Sequence, residues 1–115
     1  IDLSEPVKEQ LSFMCCGLPG ARWTAPEQMH LTLRFIGEVN SSMYRDIREV
    51  LGEVVMRPFS MRIEGMGFFP PRGRPRVVWV GIRKNEQIIR LRHRIESVLV
   101  HIGLDPEGRK FAPHI

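Results

Sequence analysis

Apolar residues recur three or four positions apart in three stretches of the chain, which is the spacing of one buried face of an α-helix. These stretches are 7–14, 43–54 and 88–102. Ser4 and Asn40 stand just before the first two, where a side-chain oxygen can accept a hydrogen bond from a free backbone N–H group. The pattern predicts three amphipathic helices.

Shorter segments between these helices have strand character. Segment 59–69 is predicted as a strand, and β-branched and aromatic residues fill 77–82. The loop between them is rich in Pro and Gly, which predicts an antiparallel hairpin. The alternating segment 29–37 is predicted as a strand, and "FAPHI", 111–115, as the start of another. The order helix, strand, helix, hairpin, helix, strand indicates an α+β fold with antiparallel pairing.

Length and hydropathy narrow the class of protein. The 115 residues, 43% of them hydrophobic, are enough for one compact domain over 1–115. No apolar run reaches the roughly 18 residues that a membrane span requires, and no signal peptide is recognisable, so we expect a cytoplasmic protein with no membrane partner. "IDL" and "HI" at the two ends read as strand fragments, from which we expect a natural protein that is longer on both sides.

Charge and cysteine content add two expectations. Seventeen Lys and Arg against thirteen Asp and Glu give a net charge of +4, which is compatible with a polyanionic partner such as nucleic acid. Cys15 and Cys16 are adjacent, a spacing that suits neither a disulfide framework nor a zinc knuckle. We therefore expect two reduced thiols on the first helix and no metal site.

The segment "MHLTLRF", 29–35, contains the first candidate functional residues. Because side chains alternate between the two faces of a strand, His30, Thr32 and Arg34 share one face, opposite Phe35 and the leucines on the core face. An imidazole, a hydroxyl and a guanidinium in a row suit a phosphate group. The same alternation occurs on the solvent face of any one-sided sheet, so the pattern alone leaves both interpretations open.

A second histidine favours the catalytic interpretation. His114 also opens a predicted strand and, like His30, follows a turn region that contains proline. If the two strands face each other, their imidazoles can flank one phosphorus atom. Opening a cyclic phosphate requires one group that takes a proton from water and another that gives a proton to the leaving ribose oxygen. A histidine pair can do both near neutral pH without a metal.

"HLTLRFIGEV", 30–39, together with "FAPHI" and "RPRVVWVGI", 74–82, resembles the 2H phosphoesterase superfamily. Within it the similarity is to the RNA 2',3'-cyclic phosphodiesterase family, historically called 2'-5' RNA ligase. The signature of the family is a pair of His-x-Thr-x motifs. The first is complete at 30–33, whereas the second reaches only His114 and Ile115. We expect threonine to be the next residue of the natural protein.

The resemblance implies a bilobal fold, in which two related antiparallel-sheet lobes with outer helices surround a central cleft. It implies a monomer that hydrolyses RNA 2',3'-cyclic phosphate ends, tRNA fragments among them, to 2'-phosphomonoesters without cofactor or metal. His114 would activate water, His30 would protonate the leaving O3', and Thr32 would hold a phosphate oxygen. Reversible 2'-5' ligation is implied as a side reaction.

Three arginines are further candidates for RNA binding under this resemblance. Arg34 would act beside His30, and Arg74 and Arg76 would contact the RNA backbone from the hairpin loop. Each has a plainer alternative: an ion pair with an acid such as Glu38 for Arg34, and a solvated loop for the other two. Trp79 could stack a base, but its apolar neighbours favour a place in the core.

Two rival functions would use the same residues. A phosphodiesterase of the same superfamily could act on a small cyclic nucleotide, and a preference for short substrates would reveal it. A noncatalytic binder of RNA ends would bind tightly and in a salt-sensitive manner without forming product. The remaining histidines, His93 and His101, lie on the third predicted helix, and we expect no catalytic role for them.

Overall fold

A computed structural model describes all 115 residues and confirms the α+β class with an antiparallel sheet. The predicted three helices and hairpin are present, together with one short 3-10 turn before the His30 segment. In chain order the elements are α1 (Glu5–Met14), the 3-10 turn (Pro26–Gln28), α2 (Ser41–Gly52), β1 (Ile63–Phe69), β2 (Val77–Ile82) and α3 (Glu86–His101).

Side-chain caps define the starts of α2 and α3. The Asn40 side chain accepts a hydrogen bond of 2.9 Å from the backbone N–H of Met43. Asn85 accepts two such bonds, of 2.8 and 3.3 Å, from the first turn of α3. Ser4 has the extended backbone of a cap, but its hydroxyl makes no capping hydrogen bond, contrary to expectation. Pro6 lies in that first turn and has no N–H to satisfy.

The sheet is the hairpin of β1 and β2, extended on one side by the end of the chain. A bulge interrupts the register of β1 between Ile63 and Met66, where Gly65 has a positive φ of 77°. Residues 113–115 run antiparallel to β2, and the backbone groups of Val80 and Ile115 exchange hydrogen bonds of 3.0 and 2.9 Å. The predicted extended pairing of "FAPHI" is thus present as a short third row of the sheet.

Segment 29–37 does not form the regular strand that its alternation predicts. His30 makes an isolated antiparallel bridge with Asp2, and the segment continues without further strand pairing. Within these 115 residues the backbone that pairs with this segment belongs to Ile1 and Asp2. Phe35, predicted on the core face, is 66% exposed, with the Arg109 guanidinium 6.0 Å from its ring centre. The predicted core face therefore ends before Phe35.

The most deeply buried side chains fix the backbone around the candidate residues. Leu31, Ile88 and Leu99 have no exposed surface. Ile88 and Leu99 belong to α3, which packs against α2, while Leu31 stands between His30 and Thr32. Truncating a fully buried leucine to alanine costs about 2–5 kcal/mol. Burial of Leu31 thus holds the backbone of its two polar neighbours in place.

Two further expectations concern the state of the cysteine thiols and membrane-spanning helices. Cys15 and Cys16 are free thiols, as predicted, but they follow the end of α1 instead of lying within it. No helix of the chain has both the length and the apolar character needed to cross a membrane.

Candidate functional site

A cavity of about 290 Å³ lies between the end of α1, the His30 segment and the exposed side of β2. Eleven of its sixteen lining residues are hydrophobic. The polar side chains that border it include both predicted catalytic histidines and the predicted phosphate-binding threonine: Thr24, Gln28, His30, Thr32 and His114. A mainly apolar cavity with a few convergent polar groups is typical of a small-molecule or nucleotide site.

The 3-10 turn orients His30. The turn ends at Gln28, and the His30 Nδ1 atom lies 2.6 Å from the Gln28 carbonyl oxygen. A carbonyl oxygen can only accept a hydrogen bond, so Nδ1 is the protonated nitrogen. Nε2 is therefore the nitrogen through which His30 can accept a proton from a ligand or give one to it.

His114, which also borders the cavity, is oriented in the same way. Its Nδ1 atom lies 2.7 Å from the carbonyl oxygen of Ala112, two residues earlier. Its backbone is held opposite Gly81 of β2 by an antiparallel bridge. The same acceptor argument gives a protonated Nδ1 and an Nε2 atom that can gain or lose a proton.

Two aromatic rings surround the His114 imidazole. The Phe69 ring meets it edge-on at 5.2 Å between centroids and 77° between planes, and the Trp79 ring lies at 6.0 Å. Trp79 is half-buried, packs on Phe69 at 5.4 Å, and also lines the cavity. The core packing expected for Trp79 is therefore found, and the same ring supports the histidine.

Arg34 is not brought to the cavity with His30 and Thr32. Its side chain is 11% exposed and makes ion pairs with Glu96 at 3.0 Å and Glu107 at 3.1 Å. Arg34 does not line the cavity beside His30, since the segment bends at Leu33 and does not continue as a regular strand. The ion-pair alternative is correct in kind, although its partners are Glu96 and Glu107 and not Glu38.

Arg74 and Arg76 lie in the exposed loop between β1 and β2 and do not line the cavity. The loop is closed by a backbone hydrogen bond of 2.8 Å from Arg76 N–H to the Phe69 carbonyl. The loop is continuous with Val77 and Val78, which do line the cavity. The two guanidinium groups are therefore available to a chain that extends out of the cavity.

The carboxylate with the largest pKa shift is Glu107. Hydrogen bonds from the Arg109 side chain and backbone, with a further contribution from the charge of Arg34, lower the pKa of Glu107 to about 2. The Arg109 Nε and Nη2 atoms bind the two carboxylate oxygens at 2.9 and 2.8 Å. Glu107 is thus a fixed negative charge at neutral pH.

The sequence did not mark several residues that the structure brings to the site. Met66, Cys15 and Trp23 line the cavity, and Glu96 and Glu107 hold Arg34. Only the aromatic Trp23 carried a local signal, since it stands in the "RW" that precedes the His30 turn. His93 and His101 are exposed on α3 and lie outside this cavity. No group of three or more His, Cys, Asp or Glu side chains has a metal-binding arrangement.

Comparison with protein families gives one match, to the family described as LigT like phosphoesterase, over residues 1–79. The matched region includes His30 and Thr32, and His114 lies beyond it. Several relatives carry the name RNA 2',3'-cyclic phosphodiesterase, and the alignments of two of them cover nearly all of this chain. The protein from Archaeoglobus fulgidus is 35% identical over 96% of this chain and 60% of its own length. The protein from Thermotoga maritima is 37% identical over the whole chain and 64% of its own length.

Solved structures show the same similarity. A protein from Thermus thermophilus superposes with a TM-score of 0.86 at 26% identity, over 99% of this chain and 68% of its own. The E. coli LigT structure complexed with 3'-AMP superposes with a TM-score of 0.80 at 28% identity, over 99% of this chain and 66% of its own. The chain therefore spans about 60–68% of the length of these four proteins.

Proposed function

Because the chain belongs to the LigT like phosphoesterase family, we propose that the protein hydrolyses RNA ends that carry a 2',3'-cyclic phosphate. The product is a 2'-phosphomonoester. The observation that carries the proposal is the single cavity bordered by His30 and His114, each with Nδ1 bound to a backbone carbonyl. The relatives named RNA 2',3'-cyclic phosphodiesterase support the substrate class.

The proposed reaction adds one water molecule across one P–O bond. The Nε2 atom of His114 takes a proton from water as the water oxygen attacks phosphorus. The Nε2 atom of His30 gives a proton to O3' as the P–O3' bond breaks, so the two imidazoles exchange protonation states during turnover. Each transfer contributes typically about 10²- to 10⁴-fold to the rate. No metal takes part in this scheme.

Thr32 and two loop arginines complete the proposed substrate contacts. The Thr32 hydroxyl borders the same cavity as His30 and donates a hydrogen bond to a phosphate oxygen. Arg74 and Arg76 contact the phosphates of the RNA chain that leads away from its end. Since both histidine segments repeat one local geometry, we also propose that the natural protein is bilobal, with one histidine motif in each lobe.

The test uses the natural polypeptide over its full length and an oligonucleotide that ends in a 2',3'-cyclic phosphate. Wild type should yield the 2'-phosphate in the presence of EDTA. His30→Ala and His114→Ala should each lower kcat/KM by about 10²-fold or more. His93→Ala and His101→Ala are matched controls, because both histidines are exposed on α3 and outside the cavity.

Four outcomes would contradict the proposal. Wild-type rates in His30→Ala or His114→Ala would contradict the two-histidine mechanism. A strict requirement for added metal would contradict the metal-free scheme. Faster turnover of a mononucleotide than of the oligonucleotide would favour a small cyclic nucleotide as substrate. Tight, salt-sensitive binding without product would favour an RNA-end binder. Joining of two RNA ends, in which a ribose hydroxyl attacks phosphorus in place of water as the P–O3' bond breaks, is expected only as a minor product.

A further inference from the structure

We propose that Arg34 is a positioning residue that holds the His114 segment in place relative to the His30 segment. It acts through an ion-pair cluster that consists of Arg34, Glu96 and Glu107 and is called the Arg34 cluster below. The inference rests on the proposed function, because its catalytic consequence presupposes that the two histidines act together. It replaces the substrate-binding role that the sequence predicts for Arg34.

The two Nη atoms of the Arg34 guanidinium donate hydrogen bonds within the protein, and the buried Nε atom has an ion-pair contact but no hydrogen bond. Nε makes an ion pair with Glu96 at 3.0 Å, and Nη1 donates to Glu107 at 3.1 Å. Nη2 donates to the backbone carbonyl of Asp105 at 2.5 Å. With these partners and only 11% of the side chain exposed, the group is not available to a substrate phosphate.

The Arg34 cluster joins three separate parts of the chain. Arg34 lies four residues after His30, Glu96 lies on α3, and Glu107 lies in the segment that leads to His114. The backbone N–H of Glu107 also donates a 2.7 Å hydrogen bond to the Glu96 carboxylate. The segment around Glu107 is therefore held both to α3 and to the His30 side of the molecule.

The chain from Glu107 to His114 has one further attachment to α3. The Arg92 guanidinium lies 5.7 Å from the centre of the Phe111 ring and 3.8 Å from the Glu96 carboxylate. Residues 105–111 have no regular secondary structure of their own, so these side-chain contacts take the place of a backbone ladder. Loss of Arg34 would release residues 105–111, and the His114 imidazole could then shift within the limits set by the pairing of residues 113–115 with β2.

Such a displacement matters because proton transfer depends steeply on geometry. A shift of about 1 Å in a reacting group, caused by a change distant from the chemistry, can lower the rate by about 10²-fold. The Arg34 guanidinium lies outside the cavity that the histidines border. The expected effect is therefore on kcat and not on substrate affinity.

The test compares Arg34→Lys, Arg34→Gln and Glu107→Gln with wild type. Lysine keeps the charge but cannot reach both carboxylates and the Asp105 carbonyl together. We expect each variant to lower kcat by about 10- to 100-fold and to change KM by less than about threefold. The Arg34→Gln/Glu107→Gln double variant should lose less than the product of the two single losses, because both changes remove the shared Arg34–Glu107 ion pair. Arg90→Gln is the matched control, since Arg90 forms an exposed pair with Glu86 on the same helix as Glu96.

A second measurement does not depend on turnover. Side-chain ¹⁵N NMR of wild type should show both histidines with the proton on Nδ1, and Arg34→Gln should disturb this pattern at His114 while His30 keeps it. Unchanged His114 signals would overturn the positioning role, and so would multiplicative losses in the double variant or equal losses in Arg90→Gln. If wild type opens no cyclic phosphate, the proposed function fails, and the NMR comparison still decides whether Arg34 holds His114.

Discussion

His30 and His114 each bond through Nδ1 to the carbonyl oxygen two residues earlier, at 2.6 Å to Gln28 and 2.7 Å to Ala112. A bond to a carbonyl fixes the proton on Nδ1 and leaves Nε2 for chemistry. The two rings thus share the same tautomer and the same Nδ1 hydrogen bond, although one follows a 3-10 turn and the other lies beside β2. Their different environments, not their tautomers, must then decide which one acts as base.

Replacing His30 or His114 by asparagine tests proton transfer separately from the hydrogen bond that orients the side chain. An asparagine amide N–H can replace the Nδ1–H bond to the backbone carbonyl, but it has no group in place of Nε2. We expect His30→Asn and His114→Asn to fold normally and to lose about 10²- to 10⁴-fold in kcat. Circular dichroism checks the fold, and steady-state rates check the loss. His93→Asn is the control, and a cavity variant within about threefold of wild type would contradict the assignment.

The rate of the wild-type protein should depend on pH in a bell-shaped manner. One imidazole must be neutral to accept a proton and the other must be charged to donate one, so kcat/KM falls at both ends of the range. Profiles measured between about pH 5 and about pH 9 should show both limbs, one for the acid and one for the base. A profile with one limb, or none, would show that the two histidines do not divide the roles of acid and base.

Local sequence signals were sufficient for most of the fold. The β2 segment occupies 77–82, as its β-branched and aromatic content predicts, and Asn40 caps α2 through its side chain as expected. The cavity histidines were also found from sequence, because each follows a proline-containing turn that sets its backbone. These features depend on residues within a few positions of one another, which a sequence pattern can report.

The errors concern contacts between distant parts of the chain. Segment 29–37 alternates like a strand, yet within these 115 residues only its start pairs with another backbone, at the Asp2–His30 bridge. The sequence places Arg34 at the phosphate because its partners, Glu96 and Glu107, lie about sixty positions away or more and have no local signature. Periodicity predicts which face a side chain occupies only where the helix or strand is regular. That prediction therefore does not hold beyond Leu31.

Gly67 leaves the space that the Trp79 ring occupies. A Cβ atom at this position would collide with the indole, with Cη2 at 2.7 Å and Cε2 at 2.9 Å. Gly67→Ala should therefore shift the indole that borders His114 and cost about 1–3 kcal/mol in stability. Chemical denaturation measures the stability, and kcat reports the effect at the cavity. Gly52→Ala is the control, since a Cβ there meets no atom within 4 Å. Equal stability of the two variants would contradict the role of Gly67.

The Glu107 carboxylate should make the protein sensitive to acid in a defined window. Arg109 lowers the pKa of Glu107 from 4.5 to about 2, so its stabilising contribution is complete above about pH 4.5 and is lost as the pH falls towards 2. Arg109→Gln should raise this pKa towards 4.5 and reduce the loss of stability across the window. Carboxyl ¹³C NMR measures the pKa, and denaturation at several pH values measures the stability. Arg83→Gln, which removes an exposed pair with Glu64, should leave both unchanged. An unshifted Glu107 titration in Arg109→Gln would refute the assignment.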